Sequence, residues 1–120
     1  MPNHYHVVLV QRQGGSIPDL MTSLATSAAR RFNLKYNQVG HLFQGPYKGN
    51  PIDSPGLLLR VARYIHLNPV VAGLVKRPED WPWSDFAEAY LLPGLNVEEG
   101  ELLLRTCNLN RAQYVSFVRG

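Results

Sequence analysis

The chain predicts an α/β domain: a small, mainly antiparallel sheet covered by helices, followed by a helical C-terminal extension. Three observations lead there. His4-Tyr5-His6 runs into the apolar, largely β-branched stretch Val7-Val8-Leu9-Val10, the composition of a buried strand. Two long segments, from Ile17 and from Pro55, repeat their apolar residues at helical spacing. Between them, His41-Leu42-Phe43-Gln44-Gly45-Pro46-Tyr47-Lys48-Gly49 has the make-up of a short strand or hairpin, broken or bulged at Gly45-Pro46.

Taken in order, Gln11 to Gly15 is a turn, and Ser16 is an N-cap with Asp19 at the capping-box position. Ile17, Leu20, Met21, Leu24, Ala28 and Phe32 then mark a helix that should run to about Tyr36. Arg30, Arg31 and Lys35 lie in its last turns, where cations also suit the helix dipole. After the aromatic segment, Ser54 caps a second helix with Pro55 at its first position, and Pro69 should end it. Leu57, Leu58, Val61 and Ile65 form one apolar face. Tyr64 and Asn68 lie about 40° apart on its border, and His66 is about 160° from Tyr64. Asn68 is equally a cap for a following turn, Pro69 to Ala72, closed by Gly73. Trp81-Pro82-Trp83 reads as a rigid corner packed on the core. Ser84 should start a short helix through Tyr90. Asn96 with Glu99, and Asn110 with Gln113, form capping boxes for two tail helices, ending near Thr106 and Arg119.

With 120 residues there is enough chain for one domain. No apolar run is long enough to span a bilayer, and no basic segment followed by an apolar one marks a leader, so a cytoplasmic protein is expected. The single Cys107 excludes an internal disulfide and argues against a thiolate zinc site. Charge is unevenly placed. Residues 1–77 carry nine Lys and Arg against Asp19 and Asp53, a net +7, whereas residues 78–120 carry −4. A polyanion would therefore meet the first two-thirds of the chain.

The chemistry-bearing residues begin with the histidines. On a strand, His4 and His6 point to one face and Tyr5 to the other, giving half of a metal site. On its own, the pair is equally a strand end with two incidental imidazoles. Phe43 and Tyr47 are candidates for stacking on unpaired bases, with Lys48 beside them for phosphate.

Three blocks are more specific in combination than alone: Met1-Pro2-Asn3-His4-Tyr5-His6, His41 to Lys48, and Arg63-Tyr64-Ile65-His66-Leu67-Asn68-Pro69-Val70-Val71-Ala72-Gly73-Leu74-Val75. With Trp83-Ser84 they resemble the single-tyrosine HUH transposases, most closely the REP-associated tyrosine transposases of the IS200-like group. The resemblance covers residues 1 to about 90, with a further likeness in the tail from Tyr114. It implies a bacterial, nucleoid-associated enzyme that cleaves and rejoins single-stranded DNA beside a hairpin. In that family the histidine pair binds Mg²⁺ or Mn²⁺, which implies His4 and His6 as ligands, Asn68 as a polar third ligand and Tyr64 as the nucleophile. Arg30, Arg31, Lys35, Lys48, Arg60 and Arg63 would then track the DNA backbone. The family carries a first strand and a helix ahead of the histidine strand, whereas this chain starts at the motif. The expected catalytic domain, residues 1–90, is thus N-terminally short, with residues 91–120 as the extension. A sheet edge exposed in this way favours a homodimer. The alternative is an inactive remnant that still grips a DNA hairpin.

Overall fold

The structure, a computed structural model, describes residues 3–92 and 97–120, without the side chains of Val97 and Glu99. Four α-helices account for most of it: α1 (Ile17–Tyr36), α2 (Pro55–Val71), α3 (Val97–Cys107) and α4 (Arg111–Arg119). A 3-10 turn at Pro78–Asp80 and a π-helical turn at Ala87–Leu91 lie between α2 and α3. There is no strand among the described residues, so the expected α/β fold with an antiparallel sheet is wrong. Residues 4–10 have no regular secondary structure, and Val7 to Val10 are exposed rather than buried. Residues 42–46 are a series of bends, with no hairpin. β-Branched composition describes a residue's fit to a pleated surface and does not make a strand without a paired neighbour. A two-stranded hairpin is marginal alone, and Pro46 removes one of its donors.

The chain forms two compact units, residues 3–7 with Ile52–Gly120, and Val8–Pro51. In the second, Ser16 caps α1 by accepting from the Asp19 amide at 3.2 Å, and Asn37 closes it in the left-handed region at φ 50°. The Asn33 side-chain amide donates to the Gly40 carbonyl and ties down the turn that follows. Met21 is buried, whereas Leu20, Leu24 and Phe32 remain exposed. Their predicted apolar face has no sheet to cover.

The first unit holds the core. Ala62, Phe86, Ala89, Tyr90, Leu104, Tyr114 and Val118 are buried together, flanked by Leu59, Leu67, Leu91, Leu103, Leu109 and Val115. Residues from either side of position 90 share this one cluster. The inward stripe of α2 is therefore Leu59, Ala62, His66 and Pro69; the predicted face of Leu57, Leu58, Val61 and Ile65 is only half-buried. Pro69 does not end the helix, which continues to Val71. Gly73, at φ 72°, then closes it by donating to the Val70 carbonyl, while Leu74 donates to Pro69. The segment after Ser84 is helical as expected, but it takes a π turn in which the Leu92 amide reaches the Ala87 carbonyl. Trp81 is half-buried and Trp83 is 83% exposed, so the aromatic corner does not seal the core. The Asn110–Gln113 box on α4 forms in both directions, at 2.9 Å each. The box expected at Asn96 and Glu99 lies outside the described residues.

At Gly100, α3 approaches the π turn closely. A Cβ there would sit 3.1 Å from the Ala89 carbonyl oxygen and 3.3 Å from the Ala89 Cβ. The obstacle is backbone, which cannot rotate away. Gly100→Val is expected to lower unfolding free energy by about 1–3 kcal/mol, read as a reduced urea midpoint at unchanged m-value.

Candidate functional site

Helix α2 supplies the site's rigid half. Its first turn is capped by Ser54 Oγ, which accepts from the Leu57 amide at 3.2 Å, and Pro55 needs no partner for a missing N–H. At about 100° per residue, burial of Ala62 and His66 turns Tyr64 to the opposite side, where it is 60% exposed. Asn68 lies one turn further along that same side.

The histidine segment comes to this side of α2. His4 and His6 stack edge to face with ring centroids 5.1 Å apart, and His6 meets the Tyr64 ring edge-on at 5.8 Å. Three of the four residues singled out from the sequence as metal ligands or nucleophile thus form a continuous series of rings. The strand expected to carry the histidines is absent, but their predicted neighbour is in place. His4 Nδ1 donates to Asn3 Oδ1 at 2.6 Å, which orients that ring and leaves its Nε2 open. Burial, then the adjacent His4, pull the His6 pKa below its ordinary value, which favours the neutral imidazole a metal requires.

Asn68 is the fourth member. Its Nδ2 is buried and has no hydrogen-bond partner among the described residues. Leaving such a donor unsatisfied costs about 1–3 kcal/mol, a cost that an oxygen acceptor brought to it would relieve. No cluster of three or more His, Cys, Asp or Glu side chains occurs among the described residues. The imidazoles of His4 and His6 and the side-chain oxygen of Asn68 are nevertheless a donor set that fits a divalent ion keeping open positions for other oxygen ligands. The orphaned Asn68 Nδ2, an N–H donor, would face an oxygen acceptor and not the ion.

The expected DNA-contacting residues fall in both units. In residues 52–120, Arg60 is exposed, but Arg63 is engaged: its Nε donates to the Phe117 carbonyl at 2.8 Å and its guanidinium lies 5.2 Å from the Phe117 ring. Arg63 therefore joins α2 to α4. In Val8–Pro51, Arg30 and Arg31 are exposed on α1, Lys35 lies over the Tyr36 ring at 5.2 Å, and Phe43, Tyr47 and Lys48 are exposed in the following segment.

The residue that sequence reasoning undervalued is His66. It is buried, its Nδ1 is 2.7 Å from the Tyr114 hydroxyl, and its Nε2 is 3.0 Å from Asp85 Oδ1. Burial pushes the Tyr114 and Tyr90 hydroxyls far up in pKa, so both stay protonated. Tyr114 then donates to Nδ1, and Nε2–H donates to Asp85. The available signal was the spacing Leu59, Ala62, His66, Pro69, a helical stripe once His66 is counted as interior.

The His66 hydrogen bond, opposed by desolvation, holds the Asp85 carboxyl below its ordinary pKa. A depressed carboxylate pKa adds stability that is fully present above the unfolded value and lost as pH falls through the folded one. Wild-type protein is therefore expected to lose thermal midpoint more steeply than Asp85→Asn on acidification below about pH 4. Parallel slopes would remove this contribution.

No helix among the described residues is long and apolar enough to cross a membrane. No protein-family model, curated protein or solved structure matches the chain.

Proposed function

We propose that the chain cleaves and rejoins single-stranded DNA in a divalent-metal-dependent reaction, with Tyr64 as nucleophile, as the resemblance to the single-tyrosine HUH transposases implies. The observation that carries this reading is the placement of the His6 ring 5.8 Å from Tyr64, with His4 behind it. His4, His6 and Asn68 would hold Mg²⁺ or Mn²⁺. When bound, the ion supplies Lewis-acid stabilisation of charge on the scissile phosphate.

The chain's own residues do the rest. The Tyr64 hydroxyl attacks phosphorus, its proton leaves to solvent, and the bond to the 3′-oxygen breaks. That oxygen takes a proton and departs as a free 3′-hydroxyl, leaving a 5′-phosphotyrosine. The phosphodiester is exchanged rather than hydrolysed, so a second 3′-hydroxyl reverses the step and joins strands. An exposed Tyr64 suits a macromolecular substrate, because no cleft has to open to admit the strand. The exposed cations of Arg30, Arg31, Lys48 and Arg60 provide sequence-independent affinity for phosphates.

A second reading is a DNA-hairpin-binding module without catalysis. What favours it is the histidine segment itself, which is exposed and lacks the sheet that would make it rigid. One assay separates the two. The protein is incubated with a hairpin-bearing single-stranded oligonucleotide and Mn²⁺, and the products are resolved under denaturing conditions. A covalent adduct mapped to Tyr64 supports the enzyme; retention of the oligonucleotide with no adduct leaves the binding module.

A further inference from the structure

We infer that the hydrogen-bonded chain Tyr114–His66–Asp85, buried at Tyr114 and His66 and open to solvent at Asp85, is a positioning device. It sets the rotation of α2 about its own axis and so aims Tyr64 and Asn68 toward the histidine segment. The role of Tyr64 in this statement rests on the proposed function; the aiming itself does not.

The geometry of the helix makes the link. Tyr64 is two residues before His66 and Asn68 two residues after, so at about 100° per residue they lie about 160° away on either side. The two functional side chains straddle the point diametrically opposite the imidazole. Whatever fixes His66 on the inside fixes both of them on the outside. The other inward contacts of α2 come from Leu59, Ala62 and Leu67, which are apolar and tolerate sliding. Hydrogen bonds are directional, and His66 makes one from each ring nitrogen, to Tyr114 on α4 and to Asp85 ahead of the π turn. The ring is also boxed by Phe86, Tyr90 and Tyr114, with centroids 5.2, 5.7 and 5.9 Å away. A further directional bond acts beside the nucleophile, where Arg63 donates to the Phe117 carbonyl of α4. Helix α4, far along the chain from the ring series, thereby holds the angle at which Tyr64 is presented.

A residue that only stabilises the core and one that aims a helix respond differently to a double apolar substitution. Replacing both partners of the buried His66–Tyr114 hydrogen bond by apolar groups of similar shape is close to neutral for stability, and Asp85, whose side chain is 54% exposed, is left to water. The test is therefore His66→Leu combined with Tyr114→Phe, beside His66→Gln, which keeps an acceptor for Tyr114 and a donor for Asp85. The first readout needs neither metal nor DNA: the nuclear Overhauser effect between the His6 and Tyr64 ring protons in isotope-labelled protein. The second is the rate of Tyr64 adduct formation at saturating hairpin oligonucleotide with Mn²⁺, together with oligonucleotide affinity.

The double variant is expected to keep its helix content and a thermal midpoint within about 5 °C of wild type, yet lose the ring–ring effect. Its adduct rate should fall about a hundredfold at unchanged affinity, as expected for a misplacement near 1 Å. His66→Gln should retain both readouts in large part. If wild type makes no adduct but loses the ring–ring effect in the double variant, the enzymatic reading fails and the positioning role stands. Absence of the effect in wild type, or its survival in a folded double variant, overturns the inference. So does a double variant that fails to fold, because the chain would then hold the core together rather than aim one helix.

Discussion

Tyr64→Phe is expected to abolish covalent capture of single-stranded DNA while leaving the protein's stability and DNA affinity as they were. The substitution removes one oxygen from a side chain that is 60% exposed on α2. Such exposed changes alter stability by no more than about 0.5 kcal/mol. The same oxygen is the one protein atom that bonds to phosphorus in the proposed reaction, and no phenylalanine carbon can replace it. Loss of a nucleophile that works as part of a unit costs on the order of a thousandfold or more. Adduct formation with the hairpin oligonucleotide and Mn²⁺, followed in a denaturing gel, is the measurement. An adduct that persists in Tyr64→Phe assigns the nucleophile elsewhere, and exposed Tyr5 and Tyr47 are the next hydroxyls to map.

Phe86→Ala should have the largest effect on stability. Phe86 is fully buried, 5.2 Å from the His66 ring and 6.0 Å from Tyr90, at the entrance to the π turn. Emptying that volume removes contacts with α2 and with the turn that carries Tyr90. A buried Phe→Ala change costs about 3–5 kcal/mol, a large share of the roughly 5–15 kcal/mol that holds a domain folded. The thermal midpoint should fall by well over 10 °C, at about 4–8 °C per kcal/mol for a domain of this size. Trp83→Ala is the internal contrast. That ring is 83% exposed, so its removal should leave the midpoint almost unchanged. Similar losses for the two variants would place the core elsewhere.

The helices were legible in the sequence because their signals are local. Ser16, Ser54 and the Asn110–Gln113 pair each cap the helix they were expected to cap. Gly73 closes α2 because it takes up φ 72° without a side-chain clash. The sheet misled because strand formation is not local: Val7 to Val10 have strand composition, but no segment among the described residues pairs with them. Pro69 misled differently, since a helix already held at His66 tolerates one missing amide donor near its end. The proximity of His6 to Tyr64 was anticipated from the resemblance. The Tyr114–His66–Asp85 chain was not, because it joins residues up to 48 positions apart and a buried histidine has no distinctive spacing.

The two halves of the ring series differ in how they are held. Tyr64 belongs to a helix with paired amides and a packed inward stripe, whereas residues 4–7 are exposed and without a ladder. Local opening free energy follows buried contacts and protected amides, so it should rise from near zero at residues 4–7 toward the global value in α2. In native-state hydrogen exchange, amides 4–7 should exchange with little protection, while those of Ala62 to His66 exchange only on unfolding of the core. Assembly of the site is then a local ordering equilibrium, in which the histidine segment docks on the face of α2 that presents the tyrosine. Anything that binds the imidazoles must order that segment first. Its apparent affinity is the intrinsic affinity multiplied by the fraction of molecules in which His4 and His6 are already docked.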